Sequence, residues 1–307
     1  MVGSGGCPDE ADLHGDAIAA YAHALQWVVT GDRRHSKKAI EILNAWSAVL
    51  EDIVSAEGSP KVQDKLEAAW YGPLFISAAE INRHYDHGAA RWSKADIKQF
   101  ENLVRVFKNE AVAWRGSGSC PNQGISVAFH RMALGVYTDD RKLYRSGYQL
   151  FVDDILKTKN KKRNCILPSG EVWEINRAPG GDFGHARYNI EGILDLAELA
   201  WIQGDDIFGI KIDGERRPRI LKGVEYLSKM IIAGPVKTSR EGWVSCPRLR
   251  PVSLEIALHH YLNRLDGYKM PYTKRLVLEK IRLSNRTGGK FLPWDTLTHG
   301  NLIKRKK

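Results

Sequence analysis

The side chains best suited to catalysis in this sequence are those of His185 and Tyr188. These residues are three positions apart, directly after a loop rich in glycine and proline. Residues three apart share a face of a helix, and the apolar residues that follow keep helical spacing up to Gly204. Imidazole titrates near neutral pH, and a phenol is activated by a nearby cation, here Arg177 or Arg187. The spacing is consistent with an acid–base pair, although most pairs of this kind are ordinary hydrogen-bonded residues.

Asn122 is a second candidate, within the loop sequence CPNQG directly before an apolar helical pattern. One interpretation is a helix N-cap, a position that asparagine fills well. The other is an amide donor that neutralises the carboxylate or enolate of a substrate. The sequence leaves both interpretations open.

His259, His260 and Tyr261 form a third cluster of imidazole and aromatic groups. Adjacent helical residues diverge by about 100°, so both histidines cannot face one metal ion. We expect one histidine to point inward, where it could line a cleft, and the other to lie on the surface.

Several kinds of site are not indicated by any motif. The sequence contains no HExxH, no zinc-type cysteine pairing among Cys7, Cys120, Cys165 and Cys246, and no Walker A, dinucleotide-binding or GxSxG motif. Paired carboxylates for glycoside hydrolysis remain an alternative, because acidic residues crowd the region around His185. These residues are Glu171, Glu174, Asp182 and Glu191.

The elements that must position these groups are predicted to be helices. Helical apolar spacing covers residues 16–30, 39–53, 62–85, 94–113, 124–137, 140–156, 185–204, 218–232, 251–265 and 272–283, with Pro73 as a kink or restart. Strand-like alternation occurs only near 165–174 and 241–246. Similar connections at 28–35, 135–144 and 201–209 suggest repeated helix pairs. An all-α fold follows, in which antiparallel pairs close into an α/α toroid or stack as an open superhelix.

Composition permits an acidic partner without choosing one. The chain has 46 Lys and Arg against 36 Asp and Glu, a formal charge of +10, which attracts nucleic acid, acidic polysaccharide or an anionic membrane surface. Part of this charge lies in segments 157–163 and 304–307, which are expected to be solvated. No stretch is apolar enough for a membrane span, and the first sixteen residues lack the pattern of a signal peptide. We expect a single domain over residues 1–307.

The sequence resembles the alginate lyase superfamily, in particular polysaccharide lyase family 5 and its relatives that act on mannuronan or glucuronan. The resemblance is carried in order by DAIAAYAHALQWVVTGDRRHSKKAIEILNAWS at 16, PNQGISVAFHRMALGVYTDDRKLY at 121, GGDFGHARYNIEGILDLAELAWIQGDDIFG at 180, LEIALHHYLNRLDGYKMPYT at 254 and LPWDTLTH at 292. It implies an α/α toroid, an incomplete barrel of antiparallel helical hairpins, that cleaves uronic-acid polymers by β-elimination without a metal or organic cofactor.

The resemblance also implies roles for individual residues. Asn122 matches the asparagine that neutralises the substrate carboxylate, Tyr188 matches the catalytic tyrosine, and His185 matches a position that is histidine in many relatives. Gln123 stands where the type enzymes have a histidine, and Gly181 stands in the register of their arginine, so the cation is expected from Arg177 or Arg187. Substrate contacts are expected from Gln123, Arg187, Trp70, Tyr71, His260 and Tyr261.

The predicted partner is therefore an acidic polysaccharide, with no nucleic acid, membrane or metal, and the resemblance implies a secreted or periplasmic enzyme. Two alternatives from other classes remain. One is a toroid that binds acidic polysaccharide without cleaving it, and the other is a glycoside hydrolase of the same architecture.

Overall fold

The computed structural model describes residues 8–55, 62–116, 121–160, 162–240, 242–244, 253–265, 267–282 and 290–300. The chain divides into two compact units, one made of residues 1–115 and 129–147 and the other of residues 116–128 and 148–307. The prediction that the chain forms a single domain stays a prediction. Cys165 is a buried free thiol, and the other three cysteines lie outside the described residues.

The first unit is built on four helices: α1 (Pro8–Thr30), α2 (Arg33–Val49), α3 (Gln63–His84) and α4 (Lys94–Ala111). Asp32 is the N-cap of helix α2, and its carboxylate accepts the backbone N–H of Arg34 at 2.9 Å. Its stripe buries Ala39 and Leu43, as the helical spacing of apolar residues requires. Helix α1 packs against α2 and α3, and α4 packs against the same two helices.

Helices α5 (Pro121–Tyr137) and α6 (Arg141–Phe151) each contribute residues to both units. Proline at the first position of α5 costs no backbone hydrogen bond, because an N–H at that position would have no partner within the helix. The turn between them is tight: a Cβ on Gly135 would lie 2.4 Å from the backbone nitrogen of Tyr144. The connection therefore requires glycine at this position.

The second unit contains the remaining helices and a short hairpin. The helices are α7 (Phe183–Ile202), α8 (Arg219–Ala233), α9 (Leu254–His259), α10 (Pro271–Leu276) and α11 (Asp295–His299), and strands β1 (Val236–Thr238) and β2 (Gly242–Val244) pair antiparallel. Helix α7 packs against α8 and α9. It passes closely over its neighbours at Gly192, where a Cβ would lie 2.6 Å from the Phe291 ring.

Three details differ from the sequence prediction. Pro73 lies within the continuous helix α3, so the helix does not restart there. Strand β1 was not predicted, because three residues are too few for a periodic signal. Three predicted helices end in π-helical turns, at Val152–Leu156, His260–Arg264 and Val277–Ile281, which apolar spacing alone does not distinguish from α-helix.

Candidate functional site

The start of helix α7 fixes the orientation of His185. Asp182 is the N-cap residue, and its Oδ1 accepts the backbone N–H of His185 at 3.2 Å. The same carboxylate lies 2.8 and 2.7 Å from Nδ1 of the His185 ring. Because an ionised carboxylate only accepts, Nδ1 carries the hydrogen, and a neutral ring presents Nε2 as its proton acceptor. The side chain is 44% exposed, so an external ligand can reach it.

Tyr188 lies one turn later on the same face of α7. Its ring meets the His185 ring edge to face, with centroids 6.1 Å apart at 88°. The Arg187 guanidinium carbon lies 4.8 Å from the Tyr188 ring centroid, and Arg187 Nε lies 3.5 Å from the buried carboxylate of Glu191. The phenol is therefore partly exposed, with imidazole and a guanidinium as neighbours.

Asn122 lies in the first turn of α5 and is held by Glu174. The backbone N–H of Asn122 donates to Glu174 Oε1 at 2.9 Å, and its side-chain Nδ2 donates to Oε2 at 2.7 Å. Glu174 thus satisfies one of the N–H groups that the first turn of a helix leaves unpaired. Of the two interpretations left open for Asn122, the N-cap does not describe these contacts. Asn122 is buried, and one of its two amide hydrogens is committed to Glu174.

Glu174 is fully buried within the Trp173–Arg177 turn. Burial raises the pKa of Glu174, and the backbone N–H of Asn122 and the charge of Arg177 oppose that rise. Arg177 Nη1 lies 3.1 Å from Glu174 Oε2 and 4.0 Å from Asp182 Oδ2, so it bridges the carboxylates that hold Asn122 and His185. Its side chain is 30% exposed. The following residues form one connected set, here called the candidate site: Asn122, Glu174, Arg177, Asp182, His185, Arg187 and Tyr188.

Gly181 has a backbone conformation that an arginine would not readily adopt. Its φ is +102°, and its N–H closes a turn onto the carbonyl of Ala178 at 3.0 Å. A Cβ at this position would also lie 2.7 Å from the buried Phe183 ring. A cation supplied by this loop therefore comes from a residue other than Gly181. Arg177, which belongs to the candidate site, can supply it.

We expect Gly181→Ala to destabilise the protein by about 2 kcal/mol more than Gly180→Ala, because only position 181 combines left-handed backbone with overpacking. Gly180 is a matched control, since it has φ +77° but nothing within 4 Å of its Cβ position. Denaturant unfolding of the two variants measures the difference. Equal losses of stability would show that Phe183 yields without cost.

The predicted substrate contacts are dispersed. Gln123 is partly exposed directly after Asn122, and Arg187 belongs to the candidate site. Trp70 and Tyr71 lie on helix α3 of the first unit. The Tyr71 ring is fully buried, and its hydroxyl donates to Glu10 at 3.0 Å. The position of Tyr71 supports a structural role and gives no support to sugar contact.

His260 and Tyr261 are also fully buried. The His260 ring stacks on Phe208 with centroids 4.0 Å apart, and the Tyr261 hydroxyl donates to the carbonyl of Phe208 at 2.8 Å. His259 is partly exposed, so one histidine does point inward and the other outward. The inward histidine is enclosed by aromatic rings, which gives no support to the predicted contact with substrate.

Buried histidines predict a loss of stability in acid. Burial lowers the pKa of His260, and of His130 in the first unit, from 6.5 to about 4. As the pH falls, the histidines of the unfolded chain therefore bind protons before those of the folded chain. The stability that the neutral, buried histidines contribute is complete above about pH 6.5 and is lost as the pH falls to about 4. Each histidine contributes at most about 3 kcal/mol. We expect unfolding temperatures to fall over this range, and His260→Phe to flatten the decline. A parallel decline in the variant would exclude His260 as a cause.

For two residues of the candidate site, Asp182 and Glu174, the sequence analysis noted only that they belong to a cluster of acidic residues, and it did not predict their contacts. Asp182 stands three positions before His185, and an aspartate before a helical pattern is a recognisable N-cap signal that could have identified it. Glu174 was noted only among clustered acidic residues. Its contact with Asn122 joins positions 52 apart in the chain, and a single sequence carries no signal of that pairing.

Two searches of the described residues were negative. No group of three or more His, Cys, Asp or Glu side chains is placed to hold a metal ion within these ranges. In the same part of the chain, no helix has the length and apolar character needed to cross a membrane.

Comparisons with known proteins give a match to one family model and to several solved structures of similar fold. A family model described as Alginate lyase matches residues 8–237. The chain is similar to alginate lyase A1-III from Sphingomonas species A1, at 15% identity and a TM-score of 0.63, over 88% of this chain and 78% of that one. A tetrasaccharide complex of a His-to-Ala variant of A1-III gives 16% identity, a TM-score of 0.58 and coverage of 89% and 80%.

The chain covers a smaller share of two other solved structures. A tetrasaccharide complex of a Tyr-to-Phe variant of A1-III gives 15% identity and a TM-score of 0.54, and the chain covers 60% of its length. An alginate lyase from Bacteroides ovatus gives 17% identity and a TM-score of 0.55, with 62% of that chain covered. No curated protein sequence matches the chain significantly. The likeness to these structures confirms the predicted all-α, α/α-toroid fold class.

Proposed function

The chain belongs to the alginate lyase family, and from this premise we propose that it cleaves a uronic-acid polymer by β-elimination. Membership in a family of polysaccharide lyases agrees with the predicted class of enzyme. The proposal is supported by one observation above all. The four predicted catalytic side chains, Asn122, Arg177, His185 and Tyr188, belong to one connected set of contacts in the second unit.

The proposed reaction begins at the carboxylate of a uronate residue. The C5 proton beside that carboxylate is very weakly acidic, so the negative charge that develops on its removal must be stabilised. The second amide hydrogen of Asn122 and the guanidinium of Arg177 would supply this stabilisation. Since Arg177 is already paired with Glu174 and Asp182, we expect it to turn its exposed N–H groups toward the substrate.

Proton transfer is assigned to the pair on α7. The C5–H bond breaks with transfer of its proton to His185 Nε2, and the C4–C5 double bond forms as the C4–O4 bond breaks. The Tyr188 hydroxyl donates a proton to the departing O4. Asp182 holds Nδ1 of His185, which keeps Nε2 as the acceptor and stabilises the imidazolium that forms.

The glycoside hydrolase alternative is less well supported by the same geometry. A glycoside hydrolase needs two carboxyl groups that flank the scissile bond. Glu171, Glu174 and Glu191 are all buried. Glu171 accepts hydrogen bonds from Ser239 and Asn176, and Glu174 from Asn122 and Arg177. The engagement of Glu171 and Glu174 with protein donors favours a structural role for these two residues.

The substrate is proposed as polymannuronate, alginate or glucuronan, in keeping with the net charge of +10. We also propose that the protein acts in the periplasm or outside the cell, where such polymers are encountered.

The decisive experiment offers each polymer, with a neutral glucan as control, and follows ultraviolet absorbance and reducing ends together. β-Elimination raises both signals, because each cleavage creates a C4–C5 double bond. Reducing ends without absorbance would identify a hydrolase. Saturable, salt-sensitive binding without either signal would identify a non-catalytic polysaccharide-binding protein.

A further inference from the structure

A second feature of the second unit is a basic cavity with a volume of about 740 Å³. It lies among the loop before α8, helix α8 itself and the start of α10, and it shares no lining residue with the candidate site. Cavities of this volume are typical of ligand sites. Five cationic side chains line it: Arg216, Arg217, Lys222, Lys229 and Lys269.

Two of these cations hold the walls together. Arg217 Nη2 donates to the carbonyl of Lys269 at 3.1 Å, and Lys222 Nζ contacts Glu215 Oε1 at 2.9 Å and the carbonyl of Pro168. The side chains of Arg216, Lys229 and Lys269 are exposed. Among the described residues, neither the Arg216 guanidinium nor the Lys269 ammonium has an acidic partner. Cations that face solvent in a concave wall attract an anionic ligand.

Among the described residues that line the cavity, Glu225 is the one carboxylate, and it is committed to the fold. It accepts the backbone N–H of Thr273 at 2.8 Å, the Thr273 hydroxyl at 2.6 Å and the N–H of Tyr272 at 3.3 Å. These bonds satisfy the start of α10. These donors stabilise the negative charge of Glu225. With Lys222 paired to Glu215, the four other cations still outnumber this one carboxylate among the described lining residues.

Three tyrosines also belong to the lining: Tyr226, Tyr268 and Tyr272. Tyr268 packs edge to face on the buried Tyr261 ring at 5.8 Å, so its orientation is fixed. The Lys229 ammonium lies 5.7 Å from the Tyr272 ring centroid, which places a cation beside an aromatic face. Tyrosine offers an apolar face and a polar edge. A sugar ring that carries a carboxylate matches this combination, because its C–H face packs on the ring while its charge meets the cation.

We propose that this cavity is a second binding site for an acidic oligosaccharide, separate from the candidate catalytic residues. The choice of a polyuronate as ligand rests on the proposed function, whereas the anionic character of the ligand rests on the cavity alone. Occupation of both sites by one polymer raises the local concentration of substrate. The site should therefore lower the KM for long polymers and have little effect on short fragments.

The test uses the full chain with Tyr188→Phe, so that the probe is not consumed, and measures binding of a long polymannuronate of defined length. The cavity variant combines Arg216→Gln, Lys229→Gln and Lys269→Gln. The matched control combines Lys157→Gln, Lys211→Gln and Lys280→Gln, three exposed lysines of the same unit outside the cavity. Both variants lose the same charge. We expect the cavity variant to bind about tenfold more weakly and the control to change less than about twofold.

Two other results of the binding measurements contradict the proposal. Equally weaker binding in both variants would show that the effect comes from the change in net charge and not from the cavity. Tighter binding of a single-stranded oligonucleotide, lost in the cavity variant, would identify a nucleic-acid site. Double-bond formation, measured with Tyr188 intact, separates the two proposals. Activity without a change in binding refutes the second site alone, and cavity-dependent binding without activity refutes the lyase alone.

Discussion

Replacing Tyr188 with phenylalanine should lower the rate of double-bond formation by about a thousandfold, within the range for loss of a general acid. Phenylalanine keeps the ring that contacts His185 and Arg187, so substrate affinity and stability should change little. Only the hydroxyl that donates to O4 is lost. Initial rates from ultraviolet absorbance and equilibrium binding of an oligouronate measure the two effects separately.

The control for this variant is Tyr85→Phe in the first unit. Tyr85 is 39% exposed and its hydroxyl contacts only the carbonyl of Val28, at 3.3 Å, among the contacts described for it. This variant should retain the full rate. If Tyr188→Phe is as active as the control, Tyr188 has no part in proton transfer, and the acid must be sought elsewhere.

Glu174→Gln should lower kcat/KM by about 10- to 100-fold and the free energy of unfolding by about 1–3 kcal/mol. Asn122 donates to both oxygens of Glu174, through its backbone N–H and through Nδ2. Glutamine offers one acceptor and one donor, so one of these bonds is replaced by a contact between two donors. Arg177 also loses its fully buried partner. Both neutralising groups would therefore leave their positions.

Glu171→Gln provides the matched control, because Glu171 is a buried carboxylate of the same loop. Its Oε1 accepts from Asn176 Nδ2 at 2.6 Å and from the Ser239 hydroxyl at 2.8 Å. A glutamine carbonyl in that position keeps both bonds and the contact with the Ser239 backbone N–H at 3.1 Å. Only the second contact of that N–H, with Oε2 at 3.0 Å, is lost. We expect this variant to retain its activity, measured at a temperature where both proteins are folded. Equal losses of activity would mean that Glu174 acts on stability only, without positioning Asn122.

Local patterns predicted most of the helices and part of the candidate site. The apolar stripes of α2 and α7 are periodic over many residues, so α7 was found to within two positions at each end and α2 to within six. His185 and Tyr188 were identified together because one turn of a helix separates them. Strand β1 and the π-helical turns are too short to give a periodic signal.

Contacts between distant segments could not be predicted in the same way. The bond between Asn122 and Glu174 depends on how a loop returns to the first turn of α5. The enclosure of His260 depends on Phe208 and Trp201, which lie on other segments. The sequence pattern correctly indicated that one of the two adjacent histidines is turned inward, but it could not indicate that aromatic side chains fill the space around that histidine.

The left-handed turn at Gly181 has a consequence for the divergence of this family. Gly181 has φ +102°, and its Cβ position overlaps the Phe183 ring. A single substitution of Gly181 by arginine is opposed by both the left-handed turn and the Phe183 ring. Relatives with arginine in this register should therefore also differ at the position of Phe183 and in the preceding glycines. Chains with this Gly-Gly turn should instead keep a basic residue at the position of Arg177, so the two positions are expected to covary across an alignment.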